Sequence, residues 1–192
     1  MKFKITIFFL ILLTFSVACQ RDNLNEPMNP DMARSMIRLK GYTADEAGLF
    51  QAVKNNDVVI LKAFFDAGIN PNPFNESGET PLTLAVQYAE TKTVKALLDK
   101  VNINLPDKNG NSPIHLALLK NKDDVLNALL EKGVDVNVAG RDKTVEGQTV
   151  LYLAVIRNRE DLIEKLLAKG ANVNQSDKSG AVPLSEACLG ES

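Results

Sequence analysis

The sequence predicts an all-α solenoid of about four stacked helix-turn-helix units plus a C-terminal half unit, and three observations predict it. First, one phrase recurs: GETPLTLAV from Gly78, GNSPIHLAL from Gly110, GQTVLYLAV from Gly147 and GAVPLSEAC from Gly180, with the glycines 32, 37 and 33 residues apart. Self-similarity at such a period is the signature of a repeat architecture. Second, FFDAGINPN from Phe64, LLDKVNIN from Leu97, LLEKGVDVN from Leu129 and LLAKGANVN from Leu166 alternate with the first phrase. Third, each unit carries two apolar stripes at helical period. In the third unit Ile114, Leu116, Ala117 and Leu118 form one, and Val125, Leu126, Leu129 and Leu130 the next. Neither helix is long enough to stand alone in water. Stacking of neighbours must supply the core.

The elements follow in order. MKFKITIFFLILLTFSVAC opens with two lysines, an uncharged run from Ile5 to Val17 and small residues before Cys19. That is the pattern of a secretory signal peptide. The run is 13 residues long, and a spanning helix needs roughly 20, so residues 1–18 are read as a cleaved signal peptide. Ser16-Val17-Ala18-Cys19 resembles the lipobox of bacterial lipoproteins, with Ser16 where the family has leucine. The resemblance implies acylation of Cys19 and, because Gln20 and not aspartate follows, placement in the outer membrane facing the periplasm. A diacylated, N-acylated cysteine anchors stably, unlike a single chain. Ser-Val-Ala also suits ordinary signal peptidase, which leaves a soluble periplasmic or secreted protein as the alternative. Residues 19–43 read as a polar tether with Pro27 and Pro30, holding a short amphipathic helix around Met32 to Lys40 as a cap on the first unit.

The repeat domain is placed at 44–192. Its first unit opens at Thr43-Ala44-Asp45-Glu46, read as a capping box before the helix containing Leu49, Ala52 and Val53. The second copy lacks a glycine after Lys100, and AGRDKTVEG is an insertion; these account for the unequal spacings. Asp107-Lys108-Asn109-Gly110 reads as a turn, and Gly133 sits where a helix end needs a left-handed residue. Asp123-Asp124 and Glu160-Asp161 fall at matching places near the start of the second helix, where the dipole favours acids. The last unit stops after one helix, and Cys188 in it is read as a small buried hydrophobe.

These phrases resemble the ankyrin repeat. Its T-P-L-H tetrapeptide stands as Thr80-Pro81-Leu82-Thr83, Ser112-Pro113-Ile114-His115, Thr149-Val150-Leu151-Tyr152 and Val182-Pro183-Leu184-Ser185. Its G-A-D-V-N ending stands as Gly133-Val134-Asp135-Val136-Asn137 and Gly170-Ala171-Asn172-Val173-Asn174. The resemblance runs from about Thr43 to Ser192 and implies an ankyrin-repeat solenoid with β-hairpin-type turns, acting as a protein-binding module and not an enzyme. It also implies that His115, the chain's single histidine, ties neighbouring turns by hydrogen bonds. Thr83, Tyr152 and Ser185 hold that place elsewhere, and one histidine with one free thiol falls short of the three or four ligands of a zinc site. With no P-loop, H-E-x-x-H or G-x-S-x-G sequence, no catalytic, cofactor, metal or small-molecule site is expected. A formal charge of −2, no Trp and three Tyr argue against nucleic acid.

The resemblance further implies that the turn tips and the exposed face of each first helix form a concave strip for a protein partner. Carried onto this chain, the tips are Glu76, Ser77 and Glu79; Lys108, Asn109 and Asn111; Lys143, Thr144, Glu146 and Gln148; and Lys178 and Ser179. The helix positions are Gln87 and Tyr88, Leu119 and Lys120, and Ile156 and Arg157. Leu119 and Ile156, expected exposed beside Tyr88, have the make-up of a binding hot spot. A monomeric binding module on the cell envelope is the resulting expectation. An immunity or inhibitor protein against a toxic envelope-targeted enzyme, and a scaffold linking membrane and cell wall, remain open beside it.

Overall fold

A computed structural model describes residues 27–143, 145–183 and 185. Cys19, the signal peptide, Thr144 and Cys188 lie outside the described residues. Nine α-helices and no strand are found among the described residues: α1 (Pro30–Leu39), α2 (Glu46–Lys54), α3 (Val58–Asp66), α4 (Pro81–Tyr88), α5 (Thr91–Leu97), α6 (Pro113–Leu119), α7 (Asp123–Glu131), α8 (Val150–Ile156) and α9 (Glu160–Ala168). Each pair α2/α3, α4/α5, α6/α7 and α8/α9 is one unit. First helices stack on first helices (α2 on α4, α4 on α6, α6 on α8), and second on second (α3 on α5, α5 on α7). The all-α solenoid predicted from the repeats is the architecture observed.

The local reasons are legible in the caps. Thr80 accepts from the Thr83 amide while Thr83 Oγ1 accepts from the Thr80 amide, a reciprocal cap, and Pro81 fits the first turn, whose amide has no helical partner. Gly133 ends α7 at φ 78°, a conformation that a side chain disfavours. Its amide bonds Leu130 O and the Val134 amide bonds Leu129 O, closing the last turn. The first unit departs from expectation: Asp45, and not Thr43, caps α2, accepting from the Gly48 amide at 2.9 Å. The Thr43 hydroxyl donates to that same carboxylate at 2.7 Å. Backbone approach explains the shift, because a Cβ on Gly48 would sit 1.9 Å from Thr43 O.

One continuous core runs through the stack, from Ala33 and Ile37 through Phe64, Leu97 and Leu129 to Leu166. Helix α1, placed in the tether by sequence, docks on α3 and fills the slot an outer helix of a preceding unit would take. Asparagines lock successive units together. Asn72 Oδ1 accepts from the Asn102 amide (2.7 Å), Asn104 Oδ1 from Asp135 (2.8 Å) and Asn137 Oδ1 from Asn172 (2.7 Å). The insertion folds back on itself, with Gly140 and Gly147 bridged by backbone bonds and Val145 buried beneath them.

Candidate interaction surface

The turn tips are built by short polar side chains that satisfy their own backbone. Asp107 Oδ1 accepts from the Asn109 and Asn111 amides, both at 2.9 Å, and its other oxygen takes Asn111 Nδ2. Asp177 repeats the pattern with the Ser179 and Ala181 amides, and these bonds, led by the Ser179 hydroxyl, hold its pKa below the usual carboxylate value. In the first tip, Glu79 is gripped by Asn75 Nδ2 at 2.9 Å and Gln87 Nε2 at 3.2 Å. Tips nest on one another: a Cβ on Gly78 would meet Lys108 Cβ at 2.8 Å, and one on Gly110 would meet Arg141 Cβ at 2.6 Å.

His115 is 1% exposed. The Ser112 hydroxyl donates to Nδ1 at 2.6 Å, and Nε2–H donates to the Gln148 carbonyl of the next unit at 3.0 Å. A carbonyl only accepts, so the proton sits on Nε2 of a neutral ring. Both nitrogens are used for tying turns, as the resemblance implied. Burial pushes the His115 pKa down, against the bond to Gln148 that raises it. The unfolded chain takes up a proton near 6.5, whereas the fold prefers the neutral ring. This contribution to stability is therefore fully present above that value and is lost as pH falls below it. His115→Gln is expected to cost about 1 kcal/mol at neutral pH through a lost hydrogen bond. Its urea midpoint should also fall less than that of the wild type between about pH 7.5 and 5.5.

The outward positions divide. Tyr88 is 68% and Ile156 50% exposed at the C-terminal ends of α4 and α8. Leu119 is not their equal: it is half-buried and packed against the core. Next door, Arg157 reaches across to the Leu118 carbonyl at 3.2 Å, at the end of the helix that carries Leu119. Gln87, Glu79, Asn111 and Gln148 are half-buried as well, while Lys120 and Arg157 are exposed. Gln148 contributes its carbonyl to His115, so part of this residue serves the fold.

Sequence reasoning passed over Phe74. It is 40% exposed and lines a shallow depression of about 390 Å³ with Phe50, Glu46, Lys54 and Glu76. Lys108 Nζ lies 5.3 Å from its ring centroid, within cation–π range. The signal was available: Pro106, Ala139 and Ser176 precede the equivalent turns, and only the first has an aromatic residue there. Among the described residues no group of three or more His, Cys, Asp or Glu is placed to hold a metal ion.

Comparison with known proteins agrees with this geometry. A family model described as Ankyrin repeats (3 copies) matches residues 49–140, and one described as Ankyrin repeat matches 146–178. Together they take in more than half of the chain, which belongs to the ankyrin-repeat family. Such repeats are protein–protein interaction modules, and no catalytic family is indicated. The chain is 34% identical over 84 residues to the human transient receptor potential cation channel subfamily A member 1, covering 43% of this chain and 8% of that one. It is 31% identical over 94 residues to an ankyrin repeat-containing protein of Schizosaccharomyces pombe, covering 48% of this chain and 44% of the relative. A putative ankyrin repeat protein of Rickettsia bellii is 32% identical over 73 residues, covering 38% and 45%. The chain thus spans less than half the length of each of these relatives.

Proposed function

We propose that this chain is a lipid-anchored binding module of the bacterial cell envelope that holds a protein partner along the strip of turn tips and first-helix ends. The observation that carries the binding face is the exposure of Tyr88 at the end of α4 and of Ile156 at the end of α8, with the exposed cations Lys120 and Arg157 at the ends of α6 and α8. Exposed aromatic and aliphatic groups rimmed by cations have the composition of binding hot spots. The location rests on Ser16-Val17-Ala18-Cys19. Acylated Cys19 would hold the module at the outer membrane, facing the periplasm.

One experiment addresses both parts. The whole chain, expressed in a Gram-negative host, should incorporate labelled palmitate, and the Cys19→Ala chain should not. Against a partner recovered by pull-down, Tyr88→Ser with Ile156→Ser is expected to weaken binding by roughly 2 kcal/mol or more. The same double variant should change stability by no more than about 0.5 kcal/mol, since both positions are exposed. Unlabelled wild type would remove the anchor and leave a secreted module. Undiminished binding would move the interface off this strip.

A further inference from the structure

Between second helices, cations meet carboxylates of the preceding unit: Lys132 pairs with Asp99, and Arg159 with Asp123 at 3.0 Å. The strip of tips and first-helix ends holds one such pair, Lys178 with Glu146, beside a group of cations outside any pair. Lys108, Lys120, Arg141, Lys143 and Arg157 have no carboxylate partner among the ion pairs of the described residues. Lys108 faces the Phe74 ring and Arg157 a backbone carbonyl. The tips' own carboxylates are mostly committed, for Asp107 and Asp177 bond their own turns and Glu146 pairs with Lys178. Burial, and then the charge of Lys120, hold the pKa of neighbouring Lys122 below the usual lysine value, consistent with under-compensated positive charge there. The nested tips fix Arg141 against Gly110, so this charge sits on a rigid frame. At the other end of the strip, Glu46 and Glu76 line the Phe74 depression together with Lys54.

We propose that the second to fourth units take an acidic protein segment, its carboxylates over Lys120, Arg141 and Lys143 and separate apolar side chains on Tyr88 and on Ile156. This names the partner chemistry for the strip and rests on the strip being the binding face. Complementary charge governs choice of partner and association rate, while the buried apolar anchor governs dwell time.

The test is selection of a random peptide library, displayed on phage, against the immobilised whole chain. Recovered clones should place Asp and Glu around an aromatic or aliphatic residue. Synthesised, they should bind the Lys120→Glu, Lys143→Glu chain about tenfold or more weakly than wild type, with the difference shrinking at high salt. Both lysines are exposed, so matching thermal melts for the two chains are expected alongside. Neutral or basic clones, an empty selection, or acidic clones indifferent to charge reversal would overturn the proposal. If neutral or basic clones lose binding to the Tyr88→Ser, Ile156→Ser chain, the strip stands and only its acidic preference falls. Clones indifferent to that variant would sink the strip itself. Tighter binding of heparin than of any clone would point to a non-protein polyanion and likewise overturn an acidic protein segment.

Discussion

Phe64→Ala is expected to lower the free energy of unfolding by about 3–5 kcal/mol, the range for deleting a fully buried aromatic ring. The ring is 0% exposed, on the helix α3 that α1 covers, and it meets the Tyr42 ring edge-on at 6.3 Å between centroids. Truncation removes both the transferred apolar area and the ring–ring contact, and leaves a void that the stacked helices close only in part. A solenoid transmits such damage only through neighbouring interfaces. Native-state hydrogen exchange should therefore show α1 to α3 losing protection first, while α6 and α7 keep theirs. A urea midpoint close to wild type would mean that α3 does not anchor the N-terminal end of the stack.

The repeats made most of this legible, because a phrase read four times averages out local ambiguity. The buried faces of α6 and α7, including Leu118, Leu129 and Leu130, follow the periodicity of the sequence. His115 was legible for the same reason: its register position implied bonds between turns, and Ser112 and Gln148 supply them. Leu119 was not, although it shares its place with exposed Ile156. Register assigns a direction to a side chain, but burial also depends on how the neighbouring units pack, and Leu119 lies against the core. Asp45 displaced Thr43 as cap because the glycine three positions on allows the backbone to close in, a tertiary choice between two plausible caps. The asparagines at 56, 121 and 158, each at positive φ between paired helices, recur as visibly as the phrases do. Asn56 Oδ1 takes the Glu90 amide and the Thr93 hydroxyl, both at 2.8 Å, so it also joins unit to unit.

Ile37→Ala is expected to cost about 2–5 kcal/mol, as for other fully buried aliphatic truncations. Its side chain is 0% exposed, on the helix that the sequence reading places within the polar tether as a cap on the first unit. Docking of α1 is reinforced just before the helix and midway along it by bonds to the C-terminal end of α3: the Met28 amide donates to Asp66 Oδ2 at 3.0 Å, and Arg34 Nη2 to Ala67 O at 3.3 Å. The sequence signal was a single amphipathic pattern from Met32 to Lys40 with no second copy to support it, read as a cap on the first unit. Leu39, 67% exposed on the same helix, is the control: Leu39→Ala should fall within about 0.5 kcal/mol of wild type. The contrast between two apolar residues so close in sequence separates the readings. If both truncations are silent in urea unfolding, α1 is a spacer and the first unit is capped by nothing from this segment. If Ile37→Ala alone destabilises, the helix is the stack's N-terminal cap, and the rigid body begins near Met28.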